Sequence, residues 1–96
     1  MGVPEVKQAE YKVPGGKLLN AELCIQEDRL FDVKITGDFF MHPEDSIIEL
    51  ERSLIGVSTL SYSSKILNFF QSRDIFLYGI SPEDFINVIG LALDSG

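Results

Sequence analysis

Few residues in this chain are of types that do chemistry. His42 is the only histidine and Cys24 the only cysteine among 96 residues. A lone thiol forms no internal disulfide and no cysteine-based metal centre. A metal at His42 would need further ligands at helical spacing, and no H-x-x-x-H pattern is present. Beside Pro43 at a predicted helix entrance, His42 reads as a capping or surface residue. Three acidic pairs, Glu27/Asp28, Glu44/Asp45 and Glu83/Asp84, are of the type used in general acid–base catalysis. Each falls in a turn or at a helix start, where carboxylates cap backbone N–H groups and meet the helix dipole. The serines of "SYSSK", Ser61 to Lys65, lack the strand–turn–helix elbow that activates a nucleophile. The residues alone therefore point to a domain that is not catalytic by itself.

Two segments ask for more than packing. In "KVPGGK", Pro14 and Gly15 favour a type II turn, and Gly16 adds a second residue able to take positive φ. Lys12 and Lys17 stand on either side. Two glycines are too few for a phosphate-binding P-loop. The segment reads either as a plain connector between strands or as a loop whose backbone approaches a ligand, with Lys12 or Lys17 supplying charge. In "ITGDFFMHPED", Gly37 ends a strand and Asp38 ties the turn through its side chain. Phe39 and Phe40 then place two large rings at a corner, one for the core and one free for a partner.

The elements that hold these segments follow from periodicity. Leu19, Ala21, Leu23 and Ile25 alternate with polar residues, and after "EDR" Phe31, Val33 and Ile35 do the same. Two period-2 runs around a polar turn predict an antiparallel hairpin over 18–36 with one buried face. Ala9, Tyr11 and Val13 add a short third strand, and residues 1–9 read as a flexible lead-in to a single domain over 10–96. The second half changes period. Pro43 is expected at a first helical position, with Glu44 and Asp45 in the first turn, Ile47, Leu50 and Leu54 on the apolar face, and Gly56 as terminator. Tyr62, Ile66, Phe69 and Phe70 describe a second helix. Ser81, Pro82 and Asp84 open a third in the manner of a capping box, with Phe85, Val88, Ile89, Ala92 and Leu93 as its stripe. Strands followed by helices predict an α+β fold, about three helices on one face of a small antiparallel sheet of about three strands.

Composition narrows the class. Eight Lys and Arg stand against fifteen Asp and Glu, a formal net charge of −7. Clustered cations are what nucleic acid demands, so nucleic acid is not an expected partner. No window approaches the roughly 18 apolar residues of a membrane span, so no membrane partner is expected either. The N-terminus lacks the apolar run of a signal peptide, and "VPEV" after Gly2 lacks the Ser or Thr of a myristoylation site. A soluble cytoplasmic protein is the expectation.

"KVPGGKL" before a hairpin, then "ITGDFF" and "HPEDSIIELERSLIG", resembles the accessory domain of lipoate–protein ligases. The similarity runs from about Tyr11 to the last helix. "GDFF" with its Pro-led helix is its more specific part; "SPEDFINVI" is common helix grammar. In many bacterial enzymes the domain ends a single chain, and in archaeal-type two-component ligases it is a separate small polypeptide. A chain that starts at Met1 and holds this domain alone is similar to the separate form.

The resemblance implies a non-catalytic small subunit that forms a heterodimer with a large catalytic subunit. ATP, Mg and lipoate would lie on that subunit, with no cofactor bound by this chain alone. The small subunit would enable ATP-dependent activation of lipoate to lipoyl-AMP, whose lipoyl group passes to a lysine of a carrier protein. On this resemblance Lys12, Pro14, Gly15, Gly16 and Lys17 form a loop near the nucleotide, with a docking role ranked above direct phosphate contact. Gly37, Asp38, Phe39 and Phe40 form a partner interface. The competing expectation is a small homodimeric interaction module unrelated to lipoylation, joined through strand edges. A lipoyl carrier is disfavoured because the hairpin tip "EDRL" offers no lysine.

Overall fold

The computed structural model describes residues 4–95. Its elements run β1 (Glu5–Lys12), β2 (Leu18–Gln26), β3 (Arg29–Gly37), β4 (Phe40–His42), α1 (Ser46–Leu54), α2 (Tyr62–Gln71), β5 (Phe76–Tyr78) and α3 (Pro82–Asp94). Strands β1, β2 and β3 form an antiparallel meander, and β4 pairs with β5 in a separate ribbon. The α+β class and the three-stranded sheet are as the periodicity predicts. The ribbon is not, because three-residue strands carry too little alternation to stand out.

The sheet turns one face to the helices. Leu19, Ala21, Leu23 and Ile25 of β2 are buried, as are Leu30, Val33 and Ile35 of β3. Helix α3 packs across β1 and β2, α1 packs against β3, and α2 lies between the two helices. Phe85, Leu50, Leu54 and Ile66 are fully buried between these layers, each contributing about 1.5–3 kcal/mol of transfer free energy. Phe85 is the hub. Phe39 meets its ring edge-on at 5.6 Å and Phe70 stacks on it at 5.6 Å.

Three sequence expectations are corrected. Strand β1 begins at Glu5, so Glu5–Ala9, assigned to a lead-in, pair with β2; residues 1–3 of that lead-in lie outside the described residues. Its inward position at Lys7 hid the alternation. Lys7 runs its stem inward and donates from Nζ to the carbonyls of Leu93 (3.2 Å) and Ser95 (2.8 Å) at the end of α3. The second correction concerns β3. The two-residue turn Glu27–Asp28 has φ of 54° and 60°, as a type I′ hairpin requires. A register shift follows at Cys24/Ile25, which pairs Ile25 with Leu30 and Cys24 with Asp32. Phe31 is the extra residue of that bulge; Leu30 goes inward and Phe31 is 58% exposed. Third, α1 starts at Ser46 behind Asp45, because His42 still pairs with Phe76 and the chain must leave the ribbon first. Pro43 therefore sits in a turn, its carbonyl accepting from Ser46 N–H at 3.0 Å.

The outer edge of β3 is not left open. Glu51 of α1 accepts from the Ile35 N–H at 2.7 Å, and Leu30 exchanges main-chain hydrogen bonds with Val57 and Gly56. Buried edge groups are thereby satisfied. Helix α3 starts at the expected Ser81–Asp84 pair, with the Asp84 carboxylate accepting from the Ser81 N–H (2.8 Å) and hydroxyl (3.2 Å) and the Asp84 N–H donating to the Ser81 carbonyl (3.0 Å). No helix among the described residues is long and apolar enough to cross a membrane.

Candidate functional site

The β1–β2 connection is the glycine loop. Val13 is buried and anchors it. Gly16 N–H donates to the Val13 carbonyl (3.0 Å), and Val13 N–H donates to the Lys17 carbonyl (2.7 Å). Gly15 and Gly16 take φ of 106° and 103°, conformations in which a side chain is strained, although open space surrounds both. Conformation, not crowding within the chain, is what calls for glycine here. Pro14, Gly15 and Gly16 are exposed, and Lys12 is exposed at the end of β1.

The second segment lies against the first. Asp38 N–H donates to the Leu18 carbonyl at 3.0 Å, one residue beyond the loop. A Cβ at Gly37 would run into that same carbonyl oxygen, so only glycine lets the chain pass. Past this corner the two rings part. Phe39 turns in to Phe85. Phe40 turns out and is 73% exposed.

Residues not singled out by the sequence complete the surface. Phe40 pairs with Tyr78 and His42 with Phe76 across the β4–β5 ribbon. Tyr78 and Phe76 are mostly exposed, and their rings touch at 4.8 Å between centroids. Met41 and Leu77, the alternate positions, face the core. Directly after Tyr78 comes Gly79, with φ of 83°; a Cβ there would lie 3.1 Å from Lys17 Cε and 3.3 Å from Lys17 Cγ. Lys17 thus lays its stem over Gly79, and the glycine loop and the aromatic ribbon share one end of the molecule. The signal for Phe76 and Tyr78 was the two-residue spacing of aromatics in "IFLYG", closed by a glycine.

The acidic pairs are dispersed. Glu27/Asp28 tip the hairpin, Glu44/Asp45 lead into α1, and Glu83/Asp84 open α3. Among the described residues no group of three or more His, Cys, Asp or Glu side chains is placed to hold a metal. What the end surface offers is shape, exposed backbone, apolar rings and the half-buried side chain of Lys17. That equipment suits docking and positioning.

A family profile described as bacterial lipoate protein ligase C-terminus matches residues 7–89. This chain belongs to that lipoate–protein ligase family. Lipoate-protein ligase A subunit 2 of Thermoplasma acidophilum is 39% identical over 72 residues, covering 75% of this chain and 76% of the relative. A solved structure from the same organism, of an archaeal lipoylation system with a bi-partite lipoate protein ligase and its E2 lipoyl domain, superimposes with a TM-score of 0.83. That match is 33% identical and covers 91% of this chain and 97% of the other. The stretch shared with the ligase family contains the glycine loop, the Gly37–Phe40 corner and the ribbon.

Proposed function

We propose that this chain is the non-catalytic small subunit of a two-component lipoate–protein ligase, acting in the cytoplasm as a heterodimer with the large catalytic subunit. That subunit would hold ATP, Mg and lipoate. There a lipoate carboxylate oxygen attacks the α-phosphorus of ATP, the bond to the β-phosphate oxygen breaks, and pyrophosphate leaves. The lipoyl-AMP so formed acylates a lysine amine on a carrier protein, and AMP departs.

The observation that carries this reading is the convergence of the glycine loop and the exposed ribbon on one end of a ligase-family fold. Negative charge develops where carboxylate and phosphate meet, and fixed dipoles or a cation directed there lower the barrier. The loop's task is to dock on the catalytic subunit and order its nucleotide-binding segment. Lys17 suits this role because its stem is already held over Gly79, leaving little freedom to lose on association. Gly15 and Gly16, with no side chains, let the partner's backbone come close.

The test is lipoate-dependent exchange of pyrophosphate into ATP by the catalytic subunit, with and without this chain. Exchange is expected only with both. Full exchange by the catalytic subunit alone, or exchange by this chain alone, would overturn the proposal.

A further inference from the structure

Single exposed apolar residues are ordinary on a protein surface, whereas adjoining aromatic rings are not. Phe40, Phe76 and Tyr78 are 73%, 57% and 61% exposed and sit on one face of a single ribbon. A two-stranded sheet standing alone is marginal in water, and only the opposite face of this one, through Met41 and Leu77, is tied to the core. Packing within the chain therefore gives no account of the outward rings.

The rim is mostly acidic, with Arg73 beside Asp74 and Lys17 at the Tyr78 end as its cations. Asp38 lies two residues before Phe40, Glu44 and Asp45 follow His42 and Pro43, and Asp74 lies two residues before Phe76; all four are exposed. Two copies of this chain set face to face would bring acid against acid, which disfavours self-association. An apolar surface edged with cations is the complement. Lys17, seated on Gly79 next to Tyr78, makes the ribbon continuous with the glycine loop, so a protein that meets the loop also covers the rings.

We infer that the outward face of β4–β5, built from Phe40, Phe76 and Tyr78, docks the catalytic subunit, and that its counterpart there is an apolar patch edged with Lys and Arg. This rests on the small-subunit reading above.

The experiment is calorimetric titration of the full chain with the catalytic subunit encoded in the same genome. The wild-type chain comes first; if it neither binds nor supports pyrophosphate exchange, the small-subunit reading itself fails. Given wild-type binding, Phe76→Ser/Tyr78→Ser is expected to weaken affinity about thirtyfold or more, as loss of central aromatic anchors does, with unchanged circular dichroism. Phe31→Ser, which removes an equally exposed ring at the far end of the hairpin, is expected to bind as wild type. Glu44→Lys/Asp74→Lys keeps the rings and inverts the rim; it is expected to weaken binding and to reverse its dependence on salt. Wild-type affinity in the ring variant, or in the rim variant if the ring variant does not fold, would overturn the docking inference and leave the small-subunit reading standing. A wild-type homodimer that the ring substitutions dissolve would also overturn it, assigning the face to a second copy.

Discussion

Lys17 lies across Gly79, its Cε 3.1 Å from the place a Cβ would occupy, and this contact joins the glycine loop to the aromatic ribbon. Gly79 has φ of 83° as well, so alanine there meets two obstacles, the backbone conformation and the lysine stem. Gly79→Ala is expected to destabilise the chain by about 1–2 kcal/mol in urea melts. Lys17→Ala, by contrast, should leave the melt within about 0.5 kcal/mol of wild type, since it alters a half-exposed side chain. In the reconstituted ligase Lys17→Ala is expected to lower pyrophosphate exchange about tenfold, equivalent to about 1.4 kcal/mol of barrier. Unchanged exchange together with unchanged subunit affinity would remove the loop from the mechanism.

Phe39 and Phe40 are neighbours in sequence with opposite duties. The first packs on Phe85 and the second faces outward. Phe39→Ala is expected to cost about 2–3 kcal/mol, somewhat below the range for a fully buried ring because Phe39 is only half-buried. Phe40→Ala should leave stability unchanged and weaken association with the catalytic subunit. Equal stability losses for the two would contradict the division.

Much of this division was legible in residue order. The period-2 runs in 18–36 located β2 and β3 because one face of an antiparallel sheet must be apolar. The cap at Ser81 and Asp84 located α3 because backbone donors at a helix start need acceptors. "GDFF" located the corner. What stayed hidden was non-local. The inward lysine of β1 finds its acceptors some 86 and 88 residues on. Phe31 lost its inward position to a bulge that exists only once β2 and β3 are paired. The alternate spacing of Phe76 and Tyr78 hinted at a strand, but three residues are too short a run to place it, and the pair acquired meaning only when β5 met β4. The contact of Lys17 with Gly79 spans most of the chain, and no local spacing announces it.

Lys7 closes the C-terminal end of α3, where unpaired carbonyls and the helix dipole both favour a cation. Lys7→Met keeps the stem and removes the charged donor. The expected loss is about 1–2 kcal/mol, in the range of a partly buried charge–dipole contact with hydrogen bonds. Amide exchange should quicken at Leu91–Asp94 more than at Phe85–Ile89, which are anchored by core packing. Uniform quickening along α3 would show that Lys7 acts on the whole fold and not on the helix end.

Tyr62, at the start of α2, rests its hydroxyl against Gly90 of α3, 3.0 Å from where a Cβ would be. Burial, with the Asp94 carboxylate adding to it, raises the phenol above its ordinary pKa of about 10. The folded chain therefore keeps this proton at pH values where the unfolded chain has lost it. Folding then carries more bound protons than unfolding, and stability falls as pH rises beyond about 10. Below that pH both states hold the proton and the group contributes no slope. Urea melts at about pH 8 and about pH 10.5 should accordingly show a larger drop for wild type than for Tyr62→Phe, which has no proton to lose. Asp94→Asn, lacking the nearby charge, should fall between them. An identical drop in wild type and Tyr62→Phe would mean that the alkaline sensitivity arises elsewhere in the chain.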